Sequence, residues 1–107
     1  MEKIVFYSHH FETTINELID LLFEQEYFGF QDASVEYFSK IYDYIDERID
    51  YPISKSTPLS HRKFGKKYLK YKANQNTSWY IFFDRHEHRF LVNSILNNHA
   101  LDFSELF

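Results

Sequence analysis

The chain has 107 residues, a length suited to one domain, and 44% of them are hydrophobic, including nine Tyr and twelve Phe; that apolar area supports an ordered core and excludes a disordered tail. It contains no cysteine, which removes disulfides and thiolate metal sites and suits a reducing compartment. Sixteen acids against twelve lysines and arginines give a net charge of -4, yet residues 1–53 carry twelve acids and three bases whereas residues 54–107 carry nine bases and four acids, so the basic end can attract a polyanion although the whole is acidic.

Residues 3–8, KIVFYS, alternate and are rich in strand formers, which predicts a strand. From Phe11 the period changes: Phe11, Ile15, Leu18, Ile19, Leu22 and Phe23 recur at helical spacing, opposed by Glu12, Asn16, Glu17, Asp20 and Glu24, so an amphipathic helix is expected as far as Gly29. Asp32 and Ser34 are capping candidates for a second helix carrying Tyr37, Phe38, Ile41, Tyr42, Ile45 and Ile49, which should stop before Pro52. Residues 52–62, PISKSTPLSHR, hold both prolines and read as a connector.

Beyond the connector the period falls to two. Tyr68, Lys70 and Lys72 alternate with Leu69, Tyr71 and Ala73, placing the two sets on opposite faces of a strand. Asn74-Gln75-Asn76 is a turn signal before TSWYIFFD, a run typical of a central strand. Residues 84–88 are polar enough to turn the chain, RFLVNSIL follows as another strand, and ALDFSELF can close the chain as a short helix on the core. The expectation is a single α+β domain over residues 1–107: an N-terminal strand, two helices and a three-strand antiparallel meander, with helices on one face of an antiparallel sheet.

The stretch HRKFGKKYLKYK, residues 61–72, gathers six of the twelve lysines and arginines without one acid. Such a strand either lies at a sheet edge, where lysines discourage pairing with other chains, or faces phosphate, or docks an acidic peptide. Tyr68 and Tyr71 are candidates for stacking on bases. His99 in NNHA is either a turn histidine or a proton-transfer group near neutral pH, with Asn97 and Asn98 closing the strand or orienting it. His86, Glu87 and His88 suggest two imidazoles on one side of a strand but lack further ligands, and His9, His10 and Glu12 do no better, so no metal or cofactor is expected.

The segment FETTINELIDLLFEQEYFGFQDASVEYFSKIYDYIDERI, followed by the basic strand and by TSWYIFF and RFLVNSILNNH, resembles the RelE/ParE superfamily of toxins from bacterial toxin-antitoxin pairs, in element order and aromatic pattern over about residues 3–99. The resemblance implies a cytoplasmic toxin held inactive by a cognate antitoxin and acting on messenger RNA at the ribosome or on DNA gyrase. In the nuclease branch it implies metal-independent cleavage with catalytic groups on the basic strand, on an arginine of the next strand and near the end of the last. On this chain Lys66, Lys67, Lys70 and Lys72 match the basic strand and His99 the end of the last; joined with the residues singled out above, the expectation is Lys70, Arg89 and His99 as catalytic residues, and Lys66, Lys67, Lys72, Tyr68, Tyr71 and Asn98 as substrate-binding ones. Where the family's arginine is expected WYIFF has Tyr80, and Arg89 would have to compensate. The alternative is a non-catalytic binding protein of the same fold, a gyrase-directed toxin or an interaction module. No membrane partner is expected, because the longest apolar run is too short to cross a bilayer and MEKIVFYSHH lacks the form of a secretory signal.

Overall fold

The computed structural model describes residues 2–24 and 31–98. His99 and the ALDFSELF segment, on which a proton-transfer role and a terminal helix were expected, lie outside the described residues, as does the expected helix end at Gly29. Strand β1 (Ile4–Tyr7) leads into α1 (His9–Glu24) and α2 (Gln31–Arg48). A two-residue strand β2 (Lys55–Ser56) and a 3-10 segment (Leu59–Phe64) occupy the connector, followed by β3 (Lys67–Lys72), β4 (Ser78–His86) and β5 (Arg89–Asn97). No helix among the described residues is long and apolar enough to cross a membrane.

The five strands form one sheet in the order β1-β5-β4-β3-β2. The α+β class is as expected, but the sheet is mixed: β1 pairs in parallel with β5, while β5-β4, β4-β3 and β3-β2 are antiparallel. The connector contributes to this outcome. By holding a short strand it reverses the chain once more before β3, and that extra reversal sets the direction of every strand after it.

Helix α1 begins two residues earlier than its hydrophobic period suggests, because Ser8 caps it. The Ser8 hydroxyl accepts a 3.0 Å bond from the Phe11 N–H and donates one of 3.0 Å to the Asn93 carbonyl, while the Ser8 N–H donates to the Val92 carbonyl. A helix start, the end of β1 and the last strand therefore meet at one side chain. Removing this cap typically costs about 1–2 kcal/mol, so Ser8→Ala should lower the urea midpoint without changing the slope of the transition. The described part of helix α2 runs from Gln31, so Asp32 and Ser34 lie within the helix instead of ahead of it.

Both helices pack on one face. Phe11 and Ile15 from α1, and Phe38, Ile41 and Ile45 from α2 with Ile49 just beyond it, are buried against Leu69, Trp79, Ile81, Phe83, Phe90, Val92 and Ile95. Two half-buried tyrosines there make hydroxyl hydrogen bonds: the Trp79 Nε1–H donates to the Tyr37 hydroxyl at 2.9 Å, and the Tyr44 hydroxyl donates to the Lys70 carbonyl at 2.8 Å. Burial, together with nearby Asp46 and Tyr42, pushes the Tyr7 hydroxyl up to about 12.

The opposite face carries a second, smaller apolar cluster of Tyr68, Tyr80 and Phe82, with Phe64 and Leu96 packed against it. The 3-10 segment lies over this cluster, its Phe64 ring 5.5 Å from that of Phe82 and its buried His61 5.6 Å from Phe64. Between Phe82 and Phe83 the register with β5 slips, Phe82 facing Ser94 and Phe83 facing Val92. Asn93 is the extra residue of this bulge, a device that sharpens local twist and re-aims side chains. Its amide donates to Asp84 Oδ2 at 2.7 Å, and Asp84 Oδ1 accepts from the Lys66 N–H at 3.0 Å. One carboxylate thus ties the entry of the basic strand to the bulge two strands away.

Candidate nucleic-acid interface

The alternation of β3 divides the expected site residues between two faces. Tyr68, Lys70 and Lys72 belong to the face opposite the helices, whereas Lys67 and Tyr71 belong to the helix side. The Tyr71 ring packs 5.0 Å from Tyr44, so it serves the helix-sheet interface and does not share a surface with Tyr68. Lys66 precedes the strand with its backbone fixed to Asp84.

On the open face a cleft of about 140 Å³ is lined by Ile53, Lys55, Tyr68, Lys70 and Tyr80. Cross-strand register builds it: Lys55 is paired with Tyr68 and Lys70 with Tyr80. The Lys70 Nζ lies 6.0 Å from the Tyr80 ring centroid, close enough for a cation-π contact. Along the same face Lys63 Nζ stands 5.2 Å from the Phe64 ring. Burial raises the Tyr80 hydroxyl above its ordinary value, and burial together with Tyr80 does the same for Tyr68. Both remain neutral hydroxyls at physiological pH, which keeps the cleft's charge positive.

Two other expected residues stand elsewhere. Arg89 pairs with His86 at the far end of β4, six residues from the Lys70 partner Tyr80; at about 3.4 Å per residue that is roughly 20 Å along the strand. It cannot compensate at Lys70 for an arginine missing at Tyr80. Asn98 is committed to the β3-β4 hairpin: its side-chain carbonyl accepts from the Ser78 N–H at 3.0 Å and its amide donates to the Asn76 carbonyl at 2.9 Å. The turn itself is held by Asn74 Oδ1, which accepts from the N–H groups of Asn76 and Thr77.

The histidine pair at 86 and 88 does not lie along one strand face, since β4 ends at His86 and Glu87 takes a positive φ of 58° in the turn. Among the described residues no three His, Asp or Glu side chains converge as a metal site would need. Sequence reasoning missed Lys55 and Ile53. Their signal was weak, because a lysine between two prolines reads as a turn residue, and only pairing with Tyr68 brings it to the cleft.

Chemically, the cleft offers two lysines, two tyrosines and the apolar side chain of Ile53. That set suits an anionic group attached to a planar or apolar body. Among the described residues its lining contains neither imidazole nor carboxylate. No protein family, curated protein or solved structure matches this chain.

Proposed function

We propose that this chain is a cytoplasmic toxin component of the RelE/ParE type, paired with an antitoxin, and that its open sheet face takes single-stranded RNA for metal-independent cleavage. The observation that carries the reading is the cleft in which Lys55 and Lys70 stand beside Tyr68 and Tyr80. Supporting it are the element order of strand, two helices and a returning meander, and the segregation of helices to the other face. Lysines supply the charge that steadies a phosphorane-like transition state. Proton transfer from the 2'-hydroxyl and to the leaving 5'-oxygen needs a further group, a role the reading gives to His99.

With Lys55, Lys70 and Lys72 on phosphates, the salt dependence of single-stranded RNA binding should have a logarithmic slope of about -2, from about -0.7 per phosphate. Regulated expression in a bacterial host should arrest growth and leave cut transcripts. The double variant Lys55→Ala, Lys70→Ala should relieve the arrest while melting like the parent, since both side chains are exposed. Expression that leaves growth unimpaired would sink the toxin reading. Arrest with intact transcripts and insensitivity to His99→Ala would favour the binding protein, a reading that Tyr80 in place of the family's arginine also favours.

A further inference from the structure

The two edges of the sheet are built differently. At one edge β2 is two residues long, carries Lys55 and follows Pro52, the devices that normally discourage another strand from adding. At the other edge β1 reads Ile-Val-Phe-Tyr, with no proline, no charge and no bulge. Its backbone bonds to β5 on one side only: the N–H groups of Ile4 and Ser8 donate to the carbonyls of His88 and Val92. Because successive residues of a strand present their peptide groups to opposite sides, those of Val5 and Tyr7 point outward, and they have no hydrogen-bond partner among the described residues.

The side chains beside this edge are exposed in a way that the rest of the sheet is not. Ile4 and Phe6 retain 42% and 52% of their accessible surface on the face opposite the helices, and Leu91, paired with Phe6, retains 41%. Next to them is a shallow depression of about 270 Å³ lined by Phe6, Asp84, Arg85, His86, Arg89 and Leu91, with Phe90 beneath. Its charges are not balanced. Asp84 is already engaged by Lys66 and Asn93, and the Arg85 guanidinium lies over the Phe90 ring at 4.9 Å. Arg89 has no ion pair among the described residues.

We propose that β1 and this depression form a docking site for an extended peptide of a partner protein, which adds as a sixth strand and carries an apolar and an acidic side chain two positions apart. The spacing follows from the geometry. An added strand bonds to the peptide groups of Val5 and Tyr7, and alternate residues of it fall on the Phe6 side. One of these covers Phe6 and Leu91, and the next, level with Ile4, reaches Arg89, which pairs with Ile4 across the sheet. The site lies at the opposite end and edge of the sheet from the Lys55–Lys70 cleft and does not depend on what that cleft binds.

Panning a random peptide display library against the intact chain tests this. The expected result is enrichment of peptides with an aromatic or aliphatic residue two positions from Asp or Glu. Fluorescence anisotropy on a synthetic copy of the commonest one should show at least tenfold weaker binding to Phe6→Lys and to Arg89→Glu, and no change for Lys70→Ala. Amide exchange at Val5 and Tyr7 should slow when it binds, and thermal melts should show all three variants folded. The proposal is overturned by a library that yields no enriched sequence, or by enriched peptides indifferent to Phe6→Lys. A concentration-dependent dimer of the free chain abolished by Phe6→Lys overturns it too, since the edge then serves a second copy.

Discussion

Replacing Gly65 with alanine should destabilise the fold by about 2–6 kcal/mol, combining a backbone conformation closed to side chains with a collision that cannot relax. Gly65 has φ 151° where the 3-10 segment turns into β3. A Cβ there would stand 2.6 Å from the Phe83 backbone nitrogen and 3.0 Å from the Phe82 backbone carbon. Both obstacles are main chain, so no rotamer change makes room. The glycine lets the connector cross directly over β4, which seats Phe64 on Phe82 and delivers Lys66 to Asp84. A loss of this size is a large part of the 5–15 kcal/mol by which domains are usually stable. Urea unfolding of the variant would settle the matter, and a change below about 1 kcal/mol would show that the crossing is not tight.

The second large effect is expected from Phe82→Ala. Phe82 is fully buried on the open face, its ring 6.0 Å from Tyr68 and 5.5 Å from Phe64. Truncating a buried phenylalanine costs about 3–5 kcal/mol, the range reflecting how far the surroundings collapse. Here the collapse has a direction, because Phe64 loses the ring on which it rests and residues 59–64 lose part of their attachment. Amide exchange should therefore quicken in that segment more than in α1 or α2. If the proposed RNA reading holds, RNA affinity should also fall, although Phe82 does not line the cleft, because Tyr68 loses a neighbour that holds its ring. Uniform acceleration of exchange through the molecule would point to global destabilisation alone.

Much of the architecture was legible because it rests on local periodicity. Phe11 and Ile15 of the first helical set, and Phe38, Ile41, Ile45 and Ile49 of the second, are buried as their spacing required, and Tyr68 and Leu69 fall on opposite faces because a strand alternates. The central position of TSWYIFFD followed from its unbroken apolar run. What could not be read were features that depend on two distant segments meeting. The capping role of Ser8 is completed by Asn93, the bulge exists only in the register of β4 against β5, and Lys55 gains its place through Tyr68. The same limit applied to the site. Composition marked residues 61–72 as basic, but strand direction and register separated Lys70 from Arg89 and turned Tyr71 toward Tyr44.

The parallel union of β1 with β5 also bears on how the chain is made. Ser8 and its acceptor Asn93 are 85 residues apart, so at about 5–20 residues per second the ribosome needs roughly 4–17 s between them. Through that interval the first strand has no neighbour, and α1 lacks the finished sheet beneath it. Nascent chains of this kind depend on late closure, so the sheet and its surface are complete only once β5 has been made, and products truncated before β5 should be degraded or captured by chaperones.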